Sequence, residues 1–274
     1  MIIEILTLRD ARRLCHALHV PEQVAVQYFY YEWNDFYKIL HFMDLKPNSY
    51  KFLFKNKRFQ TKADSDEKTW VACKTFDLEF LKNFIEEFKP NLHLVLSVAA
   101  GIGFTDAVKL LLSDSRVDPS AEDNEALINA AGFGHEEIVK LLLADSRVDP
   151  SARDDEAFIE TARYGLTDIV KLLLSDSRVD PSAGDNEGLR EAAMNGHTEI
   201  VKLLLSDSRV DPSAEDNEAL IETAEQGHVE IVKLLLSNSR LEVSVEMIQD
   251  LLSFAAGKEV KKLLKSYLKK KQSK

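Results

Sequence analysis

Cysteine is nearly missing: Cys15 and Cys73 are the only two in 274 residues. Lying so far apart, they fit neither zinc-ligand nor redox spacing, which excludes a disulfide framework and points to a reducing compartment. Glycine (10) and proline (7) are sparse, so collagen-like and Gly/Pro-rich disordered classes are excluded. No apolar run approaches the roughly 18 residues of a spanning helix. The start, MIIEILTLRDARR, does not resemble a signal peptide, because Glu4 interrupts a short apolar stretch and the basic residues follow it. Nucleophile elbows, phosphate loops and zinc spacings are missing as well. The expectation is a soluble, non-enzymatic protein of the cytoplasm or nucleus, without cofactor, metal or catalytic residues.

Positive charge is scarce in the middle of the chain. Residues 91–237 hold 12 basic and 29 acidic side chains, against 14 and 13 in residues 1–90 and nine and four in residues 238–274. A segment this acidic repels phosphate backbones, which argues against nucleic acid as its ligand. It favours a protein partner with a basic surface and speeds its association. Hydrophobic residues make up 45% of the chain, enough to bury a substantial core.

What is abundant is repetition. The string VDPSA starts at Val117, Val148, Val179 and Val210, 31 residues apart each time, inside a unit that recurs as a whole; residues 96–116 hold an earlier copy without its front end. Each unit has the pattern of two short helices. The first is expected to start after Asn124, Asp155, Asn186 or Asn217 acting as N-cap, with Glu125, Glu156, Glu187 or Glu218 at the positive helix end. Gly134, Gly165, Gly196 and Gly227 permit the left-handed turn that closes it. The second helix, such as Glu136 to Leu143, spreads Ile138, Val139, Leu141, Leu142 and Leu143 over a face too broad for one partner helix. Helices this short are marginal alone, so the units must stack, with the small pairs Ala130-Ala131, Thr161-Ala162, Ala192-Ala193 and Thr223-Ala224 allowing close approach.

The Ala-Ala-x-x-Gly-His step at Ala130 to His135 and Ala192 to His197, its Thr variant at Thr223 to His228, and the E-I-V-K-L-L-L that follows resemble the ankyrin repeat, over roughly residues 69–268. The resemblance implies an all-α, helix-turn-helix solenoid with degenerate capping repeats. The unit here has 31 residues where the family has 33, and Asp118-Pro119-Ser120 replaces the family's Asp-Val-Asn. Shorter loop tips are therefore expected. The 31-residue form resembles arrays of giant DNA viruses and their protist hosts.

The expected division is a mainly helical N-terminal region at 1–65, a degenerate repeat at 66–92, five repeats at 93–247, a closing repeat at 248–268 and a basic tail at 269–274. Within 1–65, residues 8–18, 21–33 and 34–45 have helical spacing, and 49–62 alternates apolar and basic residues like a hairpin or irregular loop. Lys51, Lys55, Lys57, Arg58 and Lys62 beside aromatics leave a nucleic-acid contact open for that part alone. An enzyme domain there is a minor alternative.

His135, His197 and His228 recur at this spacing, but stacked units place them too far apart to share one metal ion. The expectation is that they bond backbone in the Gly-His turn. Asp-Ser-Arg, at Asp114, Asp145, Asp176 and Asp207, is expected to form a charge ladder between adjacent units. Positions that vary between near-identical copies are the better guide to function. These are Glu122 and Arg153 at the loop tips, Arg190 where other units have isoleucine, and Phe133, Arg163, Tyr164, Met194, Asn195, Glu225 and Gln226 after the small pair. The ankyrin resemblance implies that they line the concave face and loop tips where a protein partner binds, and aromatic and Arg side chains are typical anchors. The expected function is a monomeric protein-binding module with no membrane contact. The alternative is an adapter whose residues 1–65 recruit machinery such as a ubiquitin ligase.

Overall fold

The computed structural model describes residues 65–272. The three helices, the loop, the basic cluster and the adapter role expected for residues 1–64 lie outside the described residues. The chain divides into two compact units, Met1–Val117 and Asp118–Lys274. The described residues are helical, with no strand among them.

In the first unit, α1 (Ser65–Cys73) packs on α3 (Leu92–Gly101), and α2 (Leu78–Phe88) on α4 (Thr105–Leu112). Asp77 caps α2 by accepting the N–H of Phe80 at 2.8 Å, and Asn91 caps α3 through His93 at 3.0 Å. Val71, Ala72, Cys73, Leu81 and Val95 are fully buried. Burial pushes the Cys73 thiol up to about 12, so it is an inert core residue.

The second unit repeats one motif four times: α5 (Ala121–Gly132) with α6 (Glu136–Leu143), α7 (Ala152–Arg163) with α8 (Thr167–Leu174), α9 (Ala183–Met194) with α10 (Thr198–Ser206), and α11 (Ala214–Gln226) with α12 (Val229–Ser237). A last pair follows, α13 (Val245–Phe254) and α14 (Lys258–Gln272). First helices pack on first helices and second on second, as a stack requires. The broad apolar face of α6 divides as that arrangement demands: Ile138, Val139 and Leu142 are buried, Leu141 and Leu143 half-buried. The small pairs are wholly buried between helices. The lysine run expected as a tail belongs to α14, which is helical to Gln272 and anchored by buried Val260 and Leu264.

Two local expectations need correction. Asn124, Asp155, Asn186 and Asn217 are not extended N-caps. Each is the last of three consecutive left-handed residues, Glu122-Asp123-Asn124 in the first copy, and the regular helix begins after it. That bend turns the Asx side chain inward, toward the next copy. Asn124 Oδ1 accepts the N–H of Asp149 at 2.8 Å, Asp155 that of Asp180 at 3.2 Å, and Asn186 that of Asp211 at 2.7 Å. These polar groups are buried, so an unmet partner would be costly.

The Asp-Ser-Arg ion pairs, likewise, close within a copy and not between copies. Arg178 holds Asp176, and Arg209 holds Asp207, both through a two-nitrogen fork. A third nitrogen reaches back to the preceding copy, where Val148 O accepts from Arg178 at 2.7 Å and Val179 O from Arg209 at 3.0 Å. The planar guanidinium has donors enough for both tasks.

Candidate functional site

The turn between first and second helices sets one edge of the site. His197 N donates to Ala192 O at 2.8 Å, closing α9 around Gly196. The His197 ring meets Arg163 O at 2.9 Å, and the His228 ring meets Met194 O at 2.9 Å. These histidines do bond backbone, as expected, but in the preceding copy. A Cβ on Gly165 would lie 2.5 Å from the His197 ring, so glycine here gives both a left-handed turn (φ +74°) and room for the neighbour. Among the described residues no His, Cys, Asp and Glu group is arranged to hold a metal ion.

Just before this turn, side chains at the end of each first helix face outward. Phe133 and Tyr164 are exposed at 68% and 58%, unusual for rings of that size. They flank a recess of about 640 Å³ whose walls include Ile128, Leu166, Glu156 and Glu160. Asn195, Glu225 and Gln226 are also exposed at this edge; Met194 is half-buried.

Arg163 and Arg190 are tied down. Arg163 Nε donates to Glu191 at 3.0 Å, and the same guanidinium holds Glu160 and reaches Glu187 at 3.5 Å. Arg190 lies 3.3 Å from Glu218, 3.4 Å from Glu187 and 3.7 Å from both Glu191 and Glu222. Two cations thus serve five carboxylates across three first helices. One oxygen of Glu222 is buried without a hydrogen-bond partner. Burial pushes the Glu222 carboxyl above its ordinary range, and Arg190 offsets this only in part.

The loop tips form a second group. Arg153 donates to Glu122 O at 2.8 Å, pairs with Glu156 at 3.3 Å and lies 3.8 Å from Asp123. The structure therefore joins Arg163 with Arg190, sets Phe133 beside Tyr164, and joins Glu122 with Arg153. Sequence reasoning missed Glu160, Glu191 and Glu222. They stand at one register of the 31-residue unit, and the i, i+3 spacing of Glu160 to Arg163 was the available signal.

Stacked helix pairs with recurring bridges between copies and a variable outer edge define a repeat protein built for contact. The model of ankyrin repeats (3 copies) matches residues 69–154 and 158–247, more than half the chain, and the chain belongs to that family of protein–protein interaction modules. The comparison with curated proteins gives no match. No described helix is long and apolar enough to cross a membrane.

Proposed function

We propose that this chain acts as a monomeric, non-enzymatic binding module, holding a protein partner against the first-helix face and loop tips of residues 118–274. The observation that carries this reading is the pair Phe133 and Tyr164, large rings exposed side by side over a recess. Water-exposed aromatic area of this kind gains from being covered, and such residues anchor interfaces. Glu122 and Arg153 at the loop tips, and Met194, Asn195, Glu225 and Gln226 at the later first-helix ends, would extend the contact beyond the recess. Arg163 and Arg190 shape the face by holding carboxylates in place.

Changing Phe133 and Tyr164 to alanine together tests this. The expected outcome is loss of partner capture from the source cell with unchanged helicity. Capture at the original level would reject the site.

A further inference from the structure

The geometry points to a partner segment of stated chemistry: an extended basic stretch that seats one apolar side chain between Phe133 and Tyr164 and lays an arginine or lysine against Glu218 and Glu222. This rests on the binding-face reading above and adds the partner's charge and spacing.

The apolar subsite is the recess between α5 and α7, where Ile128 and Leu166 form walls and both exposed rings form the rim. Its far wall includes Glu160, which begins the charged strip. From there carboxylates continue without interruption through Glu187 and Glu191 to Glu218 and Glu222, bridged by Arg163 and Arg190. Five negative charges against two positive leave the strip short of cations. The shortage is greatest at the α11 end. Glu222 shares Arg190 with three other carboxylates there, one of its oxygens has no hydrogen-bond donor, and Glu225 stands exposed one turn on. A guanidinium or ammonium group laid over the accessible surface of the Glu218 and Glu222 carboxylates would neutralise part of the surplus. A phosphate-bearing ligand would meet repulsion along the whole strip.

The distance follows from the stack. Adjacent packed helices lie about 8–10 Å apart, and two such steps separate the α5–α7 recess from the α9–α11 acidic end. A span of roughly 16–20 Å corresponds to about five or six residues of extended chain at ~3.3 Å each.

The test selects peptides from a displayed random library on the full chain, then measures the affinity of a synthetic selected peptide by fluorescence anisotropy. Selected sequences should share an apolar residue with Arg or Lys five or six positions away. The double change Glu218→Gln and Glu222→Gln, which keeps side-chain size, should weaken the peptide at least tenfold while leaving the melting temperature within a few degrees. Phe133→Ser with Tyr164→Ser should abolish binding. Peptides that depend on the rings but tolerate the Gln changes would overturn the basic-partner inference and leave the binding face standing. Peptides indifferent to both changes, or no selected peptides, would overturn both. An optimum near twelve residues would overturn the extended form in favour of a helical ligand.

Discussion

Cε1 of Phe158 lies 2.5 Å from where a Cβ on Gly188 would stand, one copy further along the stack. At the Phe158 register the other copies carry Leu127, Leu189 and Leu220, and at the Gly188 register Ala126, Ala157 and Ala219. The larger ring in one copy is matched by the missing methyl in the next. Gly188→Ala should destabilise by about 1–3 kcal/mol through overpacking, despite its helical gain. Adding Phe158→Leu should restore the stability, with a coupling energy of about 1 kcal/mol or more in a urea-denaturation double-mutant cycle. Additive effects would show that the two sites are independent.

Asp155 replaces the asparagine used at this bend by the other three copies and is 4% exposed. Burial raises its pKa from 3.8 to about 6, with the Asp180 N–H opposing the rise. An acid with a raised folded-state pKa binds its proton more tightly when folded. Its cost is therefore absent below about pH 4, grows between pH 4 and 6, and is complete above. Asp155→Asn should match the wild type at pH 4 and exceed it at pH 7 by about 1–3 kcal/mol. Equal denaturation midpoints at both pH values would contradict this.

Gly165 and Gly257 share φ +74°, but only Gly165 faces a neighbouring ring. Alanine at either position incurs left-handed strain of about 1–2 kcal/mol. Gly165→Ala must also displace the His197 ring from its bond to Arg163 O. Thermal melting should show Gly165→Ala the worse of the two by at least about 1 kcal/mol.

Asn186 and Asn217 have the same left-handed backbone, φ 66° and 68°. Asn186 Oδ1 has its partner in Asp211 N–H, whereas Asn217 Oδ1 is buried without one, because Glu242 N–H turns to Ser213 Oγ at 2.8 Å. The strain of alanine at the two sites cancels in comparison. Asn186→Ala should cost about 1–3 kcal/mol more than Asn217→Ala in urea unfolding, since only the former removes a bond already made, leaving the part-buried Asp211 N–H without its acceptor.

The architecture was legible because its signals are local or periodic. VDPSA every 31 residues, the glycines after each first helix and the apolar spacing of 136–143 each report a short-range constraint. Asn124 was misread because a cap and an inward bridge use the same residue type, and only the position of Asp149 in the next copy separates them. Arg178 was placed correctly beside Asp176 in chemistry but not in direction, since its third nitrogen serves a carbonyl that carries no sequence signature. At the candidate site, variability singled out Phe133 and Tyr164, both of which are exposed. It did not reveal that Arg163 and Arg190 are already engaged by glutamates, some of them one copy away.

The bridges recur at fixed offsets along the chain: 25 residues from Asx to the Asp N–H, 30 from arginine to the valine carbonyl and 34 from histidine to its carbonyl. Unequal recombination that duplicated one 31-residue block in the coding sequence would reproduce these offsets wherever both partners of a bridge are kept. The array can thus lengthen in whole modules, each carrying an outer edge copied from its parent that is then open to divergence while the bridges beneath it hold.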